Sequence, residues 1–348
     1  MPAMNKPVRW GILGTGLIAA EFAKAMQHVR DAELMSVGSR TQSSASNFAN
    51  AHGIAHAHPS YEALAQDPKV DVVYIATPHT QHFENTLLCL QAGKHVLCEK
   101  PFALNEAQAT DMVIAARGHK LFLMEAMWMR FIPLLRDLQR RLAENEIGEV
   151  RMLQADFGFR TPFDPSSRLF NLDLAGGALL DIGIYPLAFA TLLLGEPKEI
   201  TSVAHKATTG VDEQSAYLLR HSRGQISMLA SALRTQTSMS ASVYGTYGHI
   251  HLPKQFWRAK EMIVQRRNKA AEPVHLPYDG SGYQFEAQEV VDCLLAGKTE
   301  SEVMPHADSL SLMRTMDQIR QQWGLIYPAE KNHNLPPSKK PTQIERND

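Results

Sequence analysis

Short, fully apolar runs alternate with stretches whose apolar positions recur every three or four residues, and the alternation holds without a break from residue 8 to residue 126. Val8–Leu13 reads as a buried strand, and the segments 33–38, 70–76, 95–98 and 121–126 read as strands of the same kind. Between them the period changes. Leu17, Ile18, Phe22, Ala25, Met26 and Val29 mark one helical face, and 43–52, 82–92 and 105–117 predict further helices, the last two stopped by Gly93 and Gly118. Strands separated by single helices require right-handed crossovers and a parallel sheet, with ligands outside the carboxyl ends of the strands.

After Met127 the pattern is different. A helix is expected over 132–142, a strand over 150–159, and a helix that follows Gly176-Gly177 and ends near Gly195. Strand-like segments at 199–204, 216–220, 225–231 and 240–245 then follow one another without intervening helices, before two late helices at 285–295 and 307–323. The fold class is therefore an α/β Rossmann domain (1–127) followed by an α+β domain (128–330) built on a large, mainly antiparallel open sheet. A polar tail (331–348) completes the chain; its last part, 336–348, contains lysine and proline, has no periodicity and is expected to be poorly ordered.

The chemistry sits at the predicted strand ends. Gly14-Thr15-Gly16-Leu17-Ile18-Ala19 directly follows the first strand: Gly14 permits the tight turn, Gly16 lets the backbone approach a pyrophosphate, and Leu17 and Ile18 open a helix whose N-terminus favours anions. Thr77-Pro78-His79 and Glu99-Lys100-Pro101 end two other strands, so both meet over a dinucleotide, with His82 one turn further on and Lys100 in reach of a reacting oxygen. The second strand ends in Gly38-Ser39-Arg40-Thr41, where a chain selective for the non-phosphorylated dinucleotide carries an acid. Arg40 offers a planar cationic fork and Ser39 and Thr41 hydroxyls, which suits a 2'-phosphate, so the expected cofactor is NADP(H).

Composition narrows the choices. The 348 residues suggest about two domains on a prior of ~150 residues each. A net charge of −1 provides no footprint for nucleic acid or an anionic membrane. No apolar run of membrane-spanning length is recognised, and residues 1–7 lack the apolar core of a signal peptide, so a cytoplasmic location is expected. Cys89, Cys98 and Cys293 are widely spaced in apolar segments and read as buried thiols. His79 and His82 have a spacing that metal sites use, but no neighbouring Cys or acid completes a set, so no metal is expected. His56 and His58 read as exposed loop residues.

Together with Ala76-Thr77-Pro78 and Glu99-Lys100-Pro101, the glycine loop, the run Glu125-Ala126-Met127-Trp128-Met129-Arg130-Phe131 and the segment from Gly176-Gly177 through Asp181-Ile182-Gly183-Ile184-Tyr185-Pro186 resemble the glucose-fructose oxidoreductase, inositol dehydrogenase and rhizopine-catabolism (Gfo/Idh/MocA) family over residues 7–325. The likeness is greatest to its dihydrodiol and xylose dehydrogenase branch. It implies a Rossmann domain binding NADP, a C-terminal sheet that forms a homodimer, and oxidation of a small cyclic diol or aldose with hydride transfer to nicotinamide. Many relatives carry histidine where this chain has Tyr185, which argues against a histidine mechanism. Arg130 matches an arginine that relatives direct at the cofactor. Transcriptional co-repressors that kept the fold make a catalytically silent NADP-binding regulator the alternative, against which the presence of both Lys100 and Tyr185 weighs.

Asp181 and Tyr185 are four apart: on one continuous helix they share a face, whereas a helix starting near Pro186 leaves Asp181 as its cap. Tyr185 is assigned as proton carrier and Lys100 as the cation that lowers its pKa and polarises the oxygen, with the roles open to exchange. Glu99 is expected to orient Lys100 or a neighbouring backbone group rather than to do chemistry. Trp128, Phe157, Phe159, Trp257 and Phe285, with Asp181, are candidates for the wall of a pocket for a ring-shaped substrate, and two or three of the aromatics are expected to line it.

Overall fold

A computed structural model describes residues 6–332. Its first half contains β1 (Val8–Leu13), α1 (Leu17–Ala25), β2 (Ala32–Gly38), α2 (Gln42–His52), β3 (His56–His58) and α3 (Tyr61–Ala65). These are followed by β4 (Val72–Ile75), α4 (His82–Gln91), β5 (His95–Glu99), α5 (Glu106–His119) and β6 (Leu123–Ala126). The six strands form one parallel sheet in the order β3-β2-β1-β4-β5-β6. The strand order reverses between β1 and β4, and there a crevice opens at the carboxyl ends of the strands. One correction concerns His56 and His58. They belong to the edge strand β3, half-buried, with His58 Nε2 2.8 Å from Asp67 Oδ2; a strand of three residues is too short to show a period.

The second half begins with α6 (Pro133–Ala143) and β7 (Val150–Gly158), then a π-type turn, Leu179–Gly183, that runs straight into α7 (Ile184–Leu194). β8 (Pro197–Lys206), β9 (Asp212–His221), β10 (Ile226–Ala232), β11 (Ala241–Gly245), β12 (Gly248–Leu252), β13 (Glu261–Arg266) and β14 (Glu272–His275) precede α8 (Tyr283–Leu295) and α9 (His306–Trp323). The eight strands of this sheet run β14-β13-β12-β11-β7-β10-β9-β8, antiparallel except for the parallel pair β7 and β10. Sequence periodicity misses β12, β13 and β14: all three are short, and β12 carries glycine and histidine and β14 proline within the strand.

Leu153, Tyr217, Leu219, Leu229 and Val243 point from the inner face of this sheet, and α7 lies on them. Gly183 makes the fit: a Cβ there would stand 2.6 Å from the Tyr217 hydroxyl and 2.9 Å from Ser231 Oγ. The stretch Leu172–Leu194 is long and apolar enough, at mean hydropathy 1.8, to cross a membrane, which corrects the expectation that no such run exists. Here its apolar surface is taken up by the core, with 83% of the window buried. The two late helices return to the first half, α8 against α1 and α9 against α5, where Arg314 pairs with Glu106 at 2.7 Å. Cys89, Cys98 and Cys293 are free and buried. The tail expectation for 336–348 lies outside the described residues.

Candidate active site

Gly14 holds φ +113° and packs so closely on β4 that a Cβ would sit 2.7 Å from the Ala76 carbonyl oxygen, so only glycine turns the chain there. Gly16 is different. It forms the N-cap of α1 without any side-chain cap, and a Cβ on it would meet nothing within 4 Å. The first-turn N–H groups of α1 have no intrahelical acceptor, and with Leu17 exposed beside them they face open space, a cradle that fits a pyrophosphate. Ser39 is buried with its Oγ 3.2 Å from Thr15 Oγ1, between the glycine loop and the end of β2. Arg40 is exposed at that end and has no salt bridge among the described residues. Thr41 Oγ1 accepts from Ser44 N at 3.2 Å and so caps α2.

The loops after β4 and β5 are stapled by one histidine. His82 is fully buried, with Nε2 2.9 Å from the Thr77 carbonyl oxygen and Nδ1 2.8 Å from that of Pro101. One ring nitrogen donates to its carbonyl and the other lies beside the second, so His82, expected at the cofactor, is buried between the two loops that would hold it. Thr77 Oγ1 accepts from Asn85 Nδ2 at 3.1 Å, and Pro78 is exposed beside it. His79 is buried with no partner at Nδ1 among the described residues, and burial, with His82 and Arg168 nearby, pushes its pKa down, which keeps the ring neutral. Arg130 is buried too: Nη1 donates to Asp308 Oδ2 and to the Val303 carbonyl oxygen, while Nε and Nη2 have no partner among the described residues.

Lys100 and Tyr185 are brought together by the turn before α7. Because Leu179–Gly183 is already helical, Asp181 and Tyr185 share a face, which settles the two readings of that segment. Lys100 Nζ donates to the Asp181 backbone oxygen at 2.7 Å, lies 3.9 Å from Asp181 Oδ1, and stands 4.9 Å from the centroid of the Tyr185 ring. Glu99 Oε2 accepts from Lys100 N at 3.1 Å and its Oε1 accepts from the Tyr74 hydroxyl, so the acid anchors the backbone of Lys100. Trp128 Nε1 donates to the Tyr185 oxygen at 3.1 Å.

The electrostatics correct one expectation. Burial, followed by the nearby Glu99 carboxylate, pushes the Tyr185 phenol well above its ordinary value, opposed by the Trp128 hydrogen bond. Burial and the Glu99 carboxylate therefore keep the phenol protonated. Burial also pushes Asp181 up, but Lys100, then Arg168 and His79, outweigh it and hold the carboxyl at about 2.

A cavity of about 770 Å³ opens beside the tyrosine, walled by Trp128, Tyr185, Trp257 and Tyr283 and rimmed by Lys24, Arg258 and Ser281. Phe157 stacks on Trp257 at 3.6 Å and forms the backing of that wall. Phe159 lies behind it, 6.3 Å from Phe157, and Phe285 packs on Tyr278 at 5.2 Å; neither lines the cavity, to which α8 presents its first residue, Tyr283. Tyr283, stacked on Trp128 at 5.1 Å, was missed by sequence reasoning, although Gly280 and Gly282 just before it were a signal: a Cβ on Gly282 would meet the Trp128 ring at 2.8 Å. Arg168, whose Nη1 donates to Asp181 Oδ1 at 2.8 Å, had no local motif to reveal it.

Comparison with known proteins agrees with this architecture. Residues 8–127 match the model of an oxidoreductase family with an NAD-binding Rossmann fold, and residues 135–251 match the GFO/IDH/MocA C-terminal domain. The chain is 38% identical to a human trans-1,2-dihydrobenzene-1,2-diol dehydrogenase over 333 residues, 93% of this chain and 99% of that protein. The corresponding dehydrogenase of Xenopus laevis is 37% identical over 330 residues, covering 92% and 99%. Among solved structures, a 3-ketoreductase from Actinomadura kijaniata in complex with NADP and TDP-benzene superposes with a TM-score of 0.82 at 28% identity, over 91% of this chain and 98% of that one.

Proposed function

The chain belongs to the GFO/IDH/MocA oxidoreductase family and is an NAD(P)-binding oxidoreductase acting on CH-OH groups; on that premise we propose that it moves hydride between NADP(H) and a small cyclic diol, aldose or related carbonyl compound, with Tyr185 carrying the proton. The observation that carries this reading is the placement of a lysine ammonium 4.9 Å from the centre of a buried tyrosine ring, beside an aromatic-walled cavity. The bound dinucleotide supplies or accepts the hydride. Tyr185, whose oxygen already accepts from Trp128, donates its proton to the developing alkoxide in reduction and takes one from the alcohol in oxidation. Lys100 provides a positive charge that stabilises negative charge on the substrate oxygen. Trp128, Trp257 and Tyr283 exclude water and hold a ring by its faces.

The raised tyrosine pKa fixes the sign of the pH dependence. A phenol protonated through neutral pH is ready for reduction, so the reductive kcat should stay flat from about pH 6 to 9, below the reference phenol pKa, while the oxidative kcat should climb over the same range. Tyr185→Phe should lower kcat by roughly 10²- to 10⁴-fold with NADPH affinity, read by fluorescence, unchanged. A variant turning over within about threefold of wild type would make Tyr185 a packing residue and put the silent NADP-binding reading ahead.

NADP(H) over NAD(H) is supported by the exposed, unpaired Arg40 at the end of β2, where the sequence carries no acid. Arg40→Ala should raise KM for NADP+ by the equivalent of about 1.5–3 kcal/mol and leave KM for NAD+ nearly unchanged. Equal effects on both cofactors, or a wild type that prefers NAD+, would contradict this assignment.

The outer face of the large sheet exposes Val203, Leu218, Met152 and Ile226 among serine, threonine and glutamine side chains. A half-apolar sheet face of this kind is commonly covered by a partner, and we propose a homodimer formed sheet to sheet. Light scattering at micromolar concentration should give twice the chain mass; a monomer would refute the dimer.

A further inference from the structure

The segment between β7 and the turn before α7 passes over the active site, and the double glycine that follows is its seat. A Cβ on Gly176 would lie 2.6 Å from the Arg168 carbonyl oxygen and 2.7 Å from that of Leu169, while Gly177 N donates to the Leu169 oxygen at 2.9 Å. On the far side Phe170 is fully buried and packs edge-on against Phe163 at 5.0 Å. The Arg168 backbone is thus held on both sides, although its side chain is 45% exposed. That side chain has one partner in the site, Asp181 Oδ1 at 2.8 Å.

Two cations therefore compete for one buried carboxylate. Lys100 Nζ lies 3.9 Å from Asp181 Oδ1, too far for a hydrogen bond, and donates instead to the uncharged Asp181 carbonyl oxygen at 2.7 Å. Arg168 neutralises this carboxylate and fixes its orientation through Oδ1, which weakens the pull that would otherwise draw so near an ammonium into direct contact. We infer that Arg168 is a positioning residue for the reaction proposed above: by occupying the Asp181 carboxylate it keeps the Lys100 ammonium on the neighbouring carbonyl, over the Tyr185 ring. The Gly176-Gly177 pair serves the same end, since any side chain at Gly176 would lift the Arg168 strap away. The groups facing Asp181 are Lys100, Arg168 and His79, and with Arg168 gone Lys100 is the charged partner that remains.

The inference rests on the proposed function for its kinetic consequence, but its structural core is tested without turnover. In a crystal structure of Arg168→Ala, Lys100 Nζ should have moved onto an Asp181 carboxylate oxygen at about 2.8 Å, an ordinary charge-assisted contact. Lys100 remaining on the carbonyl would overturn the inference, whatever the activity. In turnover with NADPH and the best substrate, Arg168→Ala should lower kcat about tenfold with KM and NADPH affinity little changed, and Arg168→Lys should recover most of the loss. In an Asp181→Asn background, where no carboxylate is left to capture Lys100, the same Arg168→Ala change should alter kcat by less than about twofold. An equal loss in both backgrounds, a rise in KM alone, or no recovery by Arg168→Lys would each overturn it. A wild type silent on every substrate would instead bring down the functional reading and leave the crystallographic result to decide the inference.

Discussion

The site depends on one hydrogen bond that crosses the whole molecule. Lys100 follows β5 of the parallel sheet, Asp181 opens the helix that lies on the other sheet, and the 2.7 Å contact from Lys100 Nζ to the Asp181 carbonyl oxygen joins them over 81 positions of sequence. A hydrogen bond from a charged donor contributes about 1.5–3 kcal/mol, more than a neutral one, and here it also fixes where the charge stands. The staple made by His82 holds the β4 and β5 loops from below, Glu99 holds the backbone of Lys100, and Gly183 lets the helix carrying Tyr185 sit on its sheet.

Burial gives the second constraint. Tyr185 is enclosed by Trp128, Phe157 and Trp257, and burial, followed by the nearby Glu99 carboxylate, discourages a negative charge on it. Glu286, fully buried with neither carboxyl oxygen partnered among the described residues, is pushed well above its ordinary pKa by burial and then by Glu99 and Glu125, and is held neutral. The resting site therefore keeps its proton on the phenol. Ammonium and aromatic face lie together beside a phenol that burial and Glu99 keep protonated, which suits the proton-donor role proposed for Tyr185.

How far the sequence discloses this depends on the range of each interaction. The parallel sheet, the glycine turn and the position of Lys100 at a strand end follow from local periodicity, because a buried strand and an amphipathic helix carry their pattern within a dozen residues. The place of Tyr185 needed the family resemblance, and its shared face with Asp181 was left open because Pro186 disfavours helix on its own terms. The π-type turn accommodates it. The carbonyl neighbours of His82 were not legible, because a histidine beside a cofactor loop looks the same in sequence whether its nitrogens face a ligand or two carbonyls. Phe285 and Tyr283 differ by two positions on one helix, and only the Gly282 contact with Trp128 decides which of them reaches the cavity. Arg168 was illegible because nothing local ties it to Asp181: the connection is a strap seated on a glycine.

The central claim, that Lys100 and Tyr185 act as one proton-handling unit across the two sheets, is tested most directly by the kcat of Lys100→Met/Tyr185→Phe beside the two single variants, all confirmed to bind NADPH. Groups that act as a unit are strongly non-additive, so the double variant should be scarcely slower than the slower single one. Losses that multiply, with the double variant slowed by the product of the two single effects, would show two independent contributions and contradict the account.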